Sequence, residues 1–106
     1  MFQMKQAKFF VGQVVHHKLF GYRGVVVDVD PQFDGSEQWY EQMAHSRPPK
    51  EDPWYHVLVH DEDYNTYVAE RNLEPDLSKD GINHPLVSVV FEKFIDGAYV
   101  MDRWSN

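Results

Sequence analysis

Apolar and polar residues follow a period of two in short runs within the first 75 residues, and the period changes near Pro85. A period of two puts successive side chains on opposite faces of a strand. In "GQVVHHKLFGYRGVVVDVDP", Val14, Val15 and His16 lead into a reversal framed by Gly21 and Gly24, and Val25 to Val29 lead out. Strict alternation places Val25, Val27 and Val29 on one face and Val26, Asp28 and Asp30 on the other. Pro31 has no N–H for a ladder and ends the strand. A second pair follows. "WYHVLV" offers Tyr55, Val57 and Val59 as a uniformly apolar core face, with Trp54, His56, Leu58 and His60 opposite. "DEDYN" turns the chain, "TYVAE" answers as the partner strand, and "RNLEP" closes the sheet in a short turn with Leu73 tucked in.

Between the two pairs, residues 31–53 form a long excursion whose middle predicts a short helix. Asp34 or Ser36 suits the cap, Glu37 the first turn, and Trp39 with Met43 would share a face at i, i+4. "RPPKEDP" is a stiff polar connector. Insertions this long in a small domain are more often functional than idle. Trp39 and Trp54, beside it, are expected to be partly exposed. From Pro85 onward Val87, Val90, Phe91 and Phe94 recur at helical spacing, and Gly97 lies just past the end. A C-terminal helix is therefore expected, although its valines favour strands. "AYVM" reads as a last short strand. The reading is one mainly β domain over 1–106, with its core at about 8–75 and a helix-and-strand tail over 82–104.

Composition narrows the class. With 42% hydrophobic and 15% aromatic residues in 106, a folded domain with a modest core is expected. The absence of cysteine excludes disulfides, thiolate metal sites and cysteine nucleophiles, and suits a reducing cytoplasm. No apolar run approaches the roughly 18 residues of a membrane span, and "MFQMKQAKFFVGQ" has too short an apolar core for a signal peptide. The expected location is cytoplasmic.

Charge is unevenly placed. Residues 1–27 hold Lys5, Lys8, Lys18 and Arg23 and no acid, while the rest hold 17 acids against 6 bases; +4 and −11 give the net −7. Phosphate-backbone affinity comes largely from cations, so only the N-terminal quarter offers DNA a favourable face.

Candidate chemistry is sparse. His56 and His60 lie on a strand, where four residues span about 13 Å, too far to share one metal ion. His16 and His17 point to opposite faces. No serine lies in a G-x-S-x-G context, and no glycine-rich phosphate loop follows a strand. The acids at Asp28, Asp30 and Asp61 to Asp63 sit at strand ends and turns, where carboxylates are normally solvated. No catalytic residue, cofactor or metal is expected. The aromatics Tyr22, Trp39, Tyr40, Trp54, Tyr55, Tyr64 and Tyr67 have two readings: rings filling a small core, or a cage for a cationic group.

The ordered pieces "FFVGQVVHHKLFGYRGVVVDVDP", "PWYHVLV", "TYVAERNL" and "INHPLVSVVFEKF" together resemble the YccV-like family, which includes the bacterial heat shock protein HspQ. The resemblance implies a small SH3-like β-barrel with a segment inserted after the second strand. It further implies two activities: binding of hemimethylated DNA, and a stress-response role in the turnover of unstable proteins by an ATP-dependent protease. The family's residues carry no settled roles, so candidates are taken from this chain. For protein partners (the protease, its clients, or further copies of the chain) the expected surface is Trp39, Tyr40, Trp54 and His56. For DNA the expected contacts are His16, Lys18 and Arg23, with Phe20 and Tyr22 placed to meet a base methyl in the major groove. The expected function is that of a non-enzymatic accessory of proteolysis; a hemimethylated-DNA module and a modified-lysine or peptide reader are the alternatives.

Overall fold

Five antiparallel strands carry the centre of the chain in the computed structural model, which describes residues 6–101. They are β1 (Val14–His17), β2 (Arg23–Asp30), β3 (Trp54–Val59), β4 (Asn65–Ala69) and β5 (Leu73–Pro75), in the spatial order β4-β3-β2-β1-β5. A 3₁₀ turn, Glu70–Asn72, joins β4 to β5. The two end strands are not paired with each other, so the sheet is open rather than closed into the expected barrel.

Both faces of β3 are buried. Tyr55 and Val57 enter a core with Val15, Val26, Val68 and Leu73, sealed by Phe9. Val59 is also buried, as its alternation predicts. The opposite face is covered from two ends. Leu58 packs with Val14, Val25, Ile82 and Phe91, and Trp54 packs with Tyr40 and Ala69 beneath the insertion. At 1% exposure Trp54 is core, contrary to the expectation that it lies partly open.

Strict alternation in β2 fails at a bulge. Val26 pairs with Val57 and Asp28 with His56, leaving Val27 as the extra residue. Val25 and Val27 therefore pack with Leu58, while Val26 and Val29 pack with Tyr55. The bulge lets one valine run serve both cores.

The insertion forms α1 (Glu37–Met43), with Ser36 as the cap: its Oγ accepts the Trp39 N–H at 3.0 Å. The expected C-terminal helix is only one turn, α2 (Val87–Val90). The chain then forms a hairpin of β6 (Phe91–Ile95) and β7 (Ala98–Met101), so the strand read at "AYVM" is present. Asp96 and Gly97 have φ of 52° and 79°, the left-handed pair that a tight two-residue hairpin turn demands. That turn, and a valine-rich lead-in that resists helix, outweigh the helical spacing. The hairpin docks through Tyr99, whose N–H donates to the Gly12 carbonyl at 2.8 Å and whose hydroxyl accepts the Ile82 N–H at 2.8 Å. Residues 102–104 of the predicted tail, and Lys5, lie outside the described residues. Among the described residues no helix is long and apolar enough to cross a membrane.

Candidate functional site

Two parts far apart in sequence flank β4. On one side stands the β1–β2 hairpin tip. His17 is buried at its base, and its Nδ1 accepts the N–H groups of Leu19 and Phe20, each at 3.1 Å. Its ring stacks on Phe20 at 4.6 Å and lies 5.0 Å from Tyr22. Tyr22 in turn joins its hydroxyl to Thr66 Oγ1 at 2.7 Å, fastening the tip to β4. On the other side stands the insertion. Trp39 meets Tyr67 edge-on at 5.7 Å, and Arg71 ties the β4–β5 turn to the insertion through the Ser46 carbonyl.

Between these walls runs a groove of about 770 Å³, floored by the whole of β4. Phe20, 76% exposed, and Met43, 59% exposed, rise from its two sides. A quarter of the chain is charged, yet no Lys, Arg, Asp or Glu lines the groove. Exposed apolar surface gathered in a concave site is where ligands and partners bind.

The structure joins residues that sequence reasoning kept apart. Phe20 and Tyr22, read as DNA contacts, and Trp39, read as a partner contact, line the same groove. Trp54 touches it only from beneath. Tyr40 is buried under α1, its hydroxyl donating to the Pro48 carbonyl at 2.6 Å. His56 lies tilted against Tyr67 at 4.5 Å and pairs with Asp30 at 3.2 Å, outside the groove. The remaining DNA candidates diverge. Lys18 is exposed beside the tip. His16 points to the other face and pairs with Glu74 at 2.9 Å. Arg23 is spent internally: Nε and Nη2 both reach Asp76 at 3.1 Å, and Nη2 also donates to the Asp80 carbonyl at 2.6 Å. Burial raises the Asp76 carboxyl, but hydrogen bonds from Ser78 and Arg23 outweigh it and hold the group below its ordinary value.

Sequence reasoning missed Leu19, Thr66 and the groove itself. The helical spacing of Trp39 and Met43 was the one legible sign of a shared apolar wall. The aromatic cage is occupied by the chain's own groups. Phe33 sits among Trp39, Tyr40, Trp54 and Tyr67, and the Lys50 ammonium lies 4.3 Å from the Tyr40 ring. Asp28, Asp30 and His56 bring ligand atoms within 4.8 Å of one another, as a cation would need. Asp30 Oδ2, however, already takes the Tyr67 hydroxyl at 2.7 Å as well as His56. His60 is separate, its Nδ1 accepting the Asn83 N–H at 2.8 Å.

The fold is that of a small, mainly β domain carrying an inserted segment, with a groove beside β4 that no Lys, Arg, Asp or Glu lines. Residues 7–98 match the family model YccV-like, described as hemimethylated DNA-binding protein YccV like. The chain belongs to this family, and the match takes in both the five-stranded sheet and the first strand of the C-terminal hairpin.

Proposed function

We propose that this protein is a non-enzymatic binding module that holds exposed apolar polypeptide in the groove beside β4, as an accessory of ATP-dependent proteolysis in the cytoplasm. The observation that carries the reading is the uncharged, aromatic-walled groove on a chain of net charge −7. Unstable proteins differ from folded ones in the apolar segments they expose, and such a groove gains free energy by covering them. The phosphates of a polyanion find no cation in its lining. The test is fluorescence anisotropy with a labelled, reduced and carboxymethylated protein that cannot refold, with its native form as control. Binding of the unfolded form alone, weakened at least tenfold in Phe20→Ser/Met43→Ser, is expected. Equal binding by that variant would refute the groove.

The family description favours a second reading, a hemimethylated-DNA module at the hairpin tip. Phe20 and Tyr22 lie beside the exposed Lys18, so a base methyl and a phosphate have neighbouring partners. Arg23 is committed to Asp76, so few phosphates would be neutralised and the salt slope would be shallow, about −0.9 per phosphate. Titration of hemimethylated, fully methylated and unmethylated duplexes at two salt concentrations separates the readings. A clear preference for the hemimethylated duplex, lost in Lys18→Glu, would establish the second.

A further inference from the structure

We infer that the groove binds its polypeptide as an added strand on the free edge of β4, an inference that rests on the peptide-binding reading above. The register fixes which backbone groups of β4 are available. The Val59 N–H donates to the Tyr64 carbonyl at 3.2 Å, and the Glu70 N–H donates to the Pro53 carbonyl at 3.0 Å. Between them the ladder pairs Val57 with Thr66 and Tyr55 with Val68. Antiparallel pairs alternate between bonded and non-bonded, so Thr66 and Val68 turn their N–H and C=O toward β3. Asn65, Tyr67 and Ala69 turn theirs away from it. The Ala69 carbonyl opens the 3₁₀ turn as its N-cap acceptor; among the described residues no turn, loop or side-chain hydrogen bond reaches the outward groups of Asn65 and Tyr67 or the Ala69 N–H.

The two edges of the sheet are unlike. β5 has three residues, carries Glu74 and ends in Pro75, features that blunt an edge against pairing. β4 has five, "NTYVA", with neither charge nor proline. All five line the groove, so it straddles the edge: the hairpin tip meets β4 at Thr66 on one face, and the insertion meets it at Tyr67 on the other. Outward N–H and C=O groups recurring every second residue, about 7 Å apart, match an extended polypeptide. They do not match a nucleic-acid strand, which would also need cations that the lining lacks. An added strand sends alternate side chains to Leu19 and Phe20 on one side and to Trp39 and Met43 on the other. The ligand is therefore a run of roughly five residues apolar at both parities, the length β4 can pair. The chain's net −7 favours basic residues flanking that run.

Backbone amide hydrogen exchange by NMR reads this directly, using a peptide of five apolar residues with two lysines at each end. In the free protein the amides of Thr66 and Val68 should exchange slowly and those of Asn65, Tyr67 and Ala69 fast. Saturating peptide should slow the latter three at least tenfold. Ala69→Pro removes one outward donor at a position whose φ of −69° already suits proline, and should weaken peptide binding about 3–10-fold. Thermal unfolding of that variant checks that the fold survives; where it does not, the exchange pattern of the unaltered protein decides alone. Peptide binding without new protection at these amides would overturn strand addition and leave the groove reading standing. Protection that rises with protein concentration and no peptide would show a second copy on the edge, and would overturn the inference. No binding of either peptide or unfolded protein would remove both.

Discussion

His17 is the residue on which one wall of the groove depends. An Nδ1 that accepts two N–H groups must be unprotonated, so the ring is neutral with its proton on Nε2. Burial, aided by neighbouring His16, pushes the imidazole below its ordinary 6.5. His17→Ala removes the acceptor of two hydrogen bonds, worth about 0.5–1.5 kcal/mol each, and a ring stack worth about 0.5–1.5 kcal/mol more. The expected loss is about 2–4 kcal/mol, a fall in urea midpoint on the order of 1–2 M for a slope near 2 kcal/mol/M. His17→Asn keeps an acceptor close to the Nδ1 position and should lose only about 1 kcal/mol. The two variants also separate in acid. The folded imidazole is harder to protonate than the unfolded one, so the unfolded chain binds the extra proton first. Stability from His17 is thus complete above pH 6.5 and is lost as pH falls below it. The assay is urea unfolding of wild type and both variants at pH 7.5, 6.5 and 5.5. Subtracting the His17→Asn profile from the wild-type profile should leave a loss confined to the acid side. An unshifted midpoint in His17→Ala, or the same acid loss in His17→Asn as in wild type, would refute the reasoning.

Further outcomes follow from the packing. Gly12→Ala would place a methyl 2.0 Å from the Tyr99 carbonyl oxygen at a φ of 98°, so thermal unfolding should show a loss of about 3 kcal/mol or more. Val57→Ala removes two methyl groups from a fully buried site and should cost about 2–3 kcal/mol by urea unfolding. The phenols of Tyr55 and Tyr67 are raised by burial, and further by hydrogen bonds to Glu70 and Asp30. The unfolded chain therefore ionises first, and stability should fall as pH rises above about 10, a trend that Tyr55→Phe should weaken. Excess chelator should leave the melting temperature unchanged, because Asp30 is already satisfied by Tyr67 and His56; a rise with added zinc and a fall on its removal would contradict this.

Local pattern by itself determined the strands. Residues of period two, a glycine-framed reversal and the Tyr55–Val57–Val59 face correspond to β1 to β4 and the first core, because each rests on neighbours within a few residues. The Ser36 cap and the Trp39–Met43 face of α1 were legible for the same reason. The C-terminal hairpin carries a local sign too: Asp96-Gly97 is a hairpin turn pair, which the helical spacing of four apolar residues masks. Other features have no local cause. The Val27 bulge exists because one valine run must meet two cores, and which residue is extra is settled by pairing with β3, not by β2. Arg23 looked like a cation for phosphate, yet it is held by Asp76, 53 positions away. The groove also depends on long-range contacts: Tyr22 to Thr66 and Trp39 to Tyr67 bring a hairpin tip and an insertion to the two sides of one strand. Which of that strand's backbone groups face outward follows from strand order and from the register of β4 with β3. A residue's type and neighbours dictate its face and its conformation, but only the closed set of long-range pairings decides which faces meet and which edge is left without a partner.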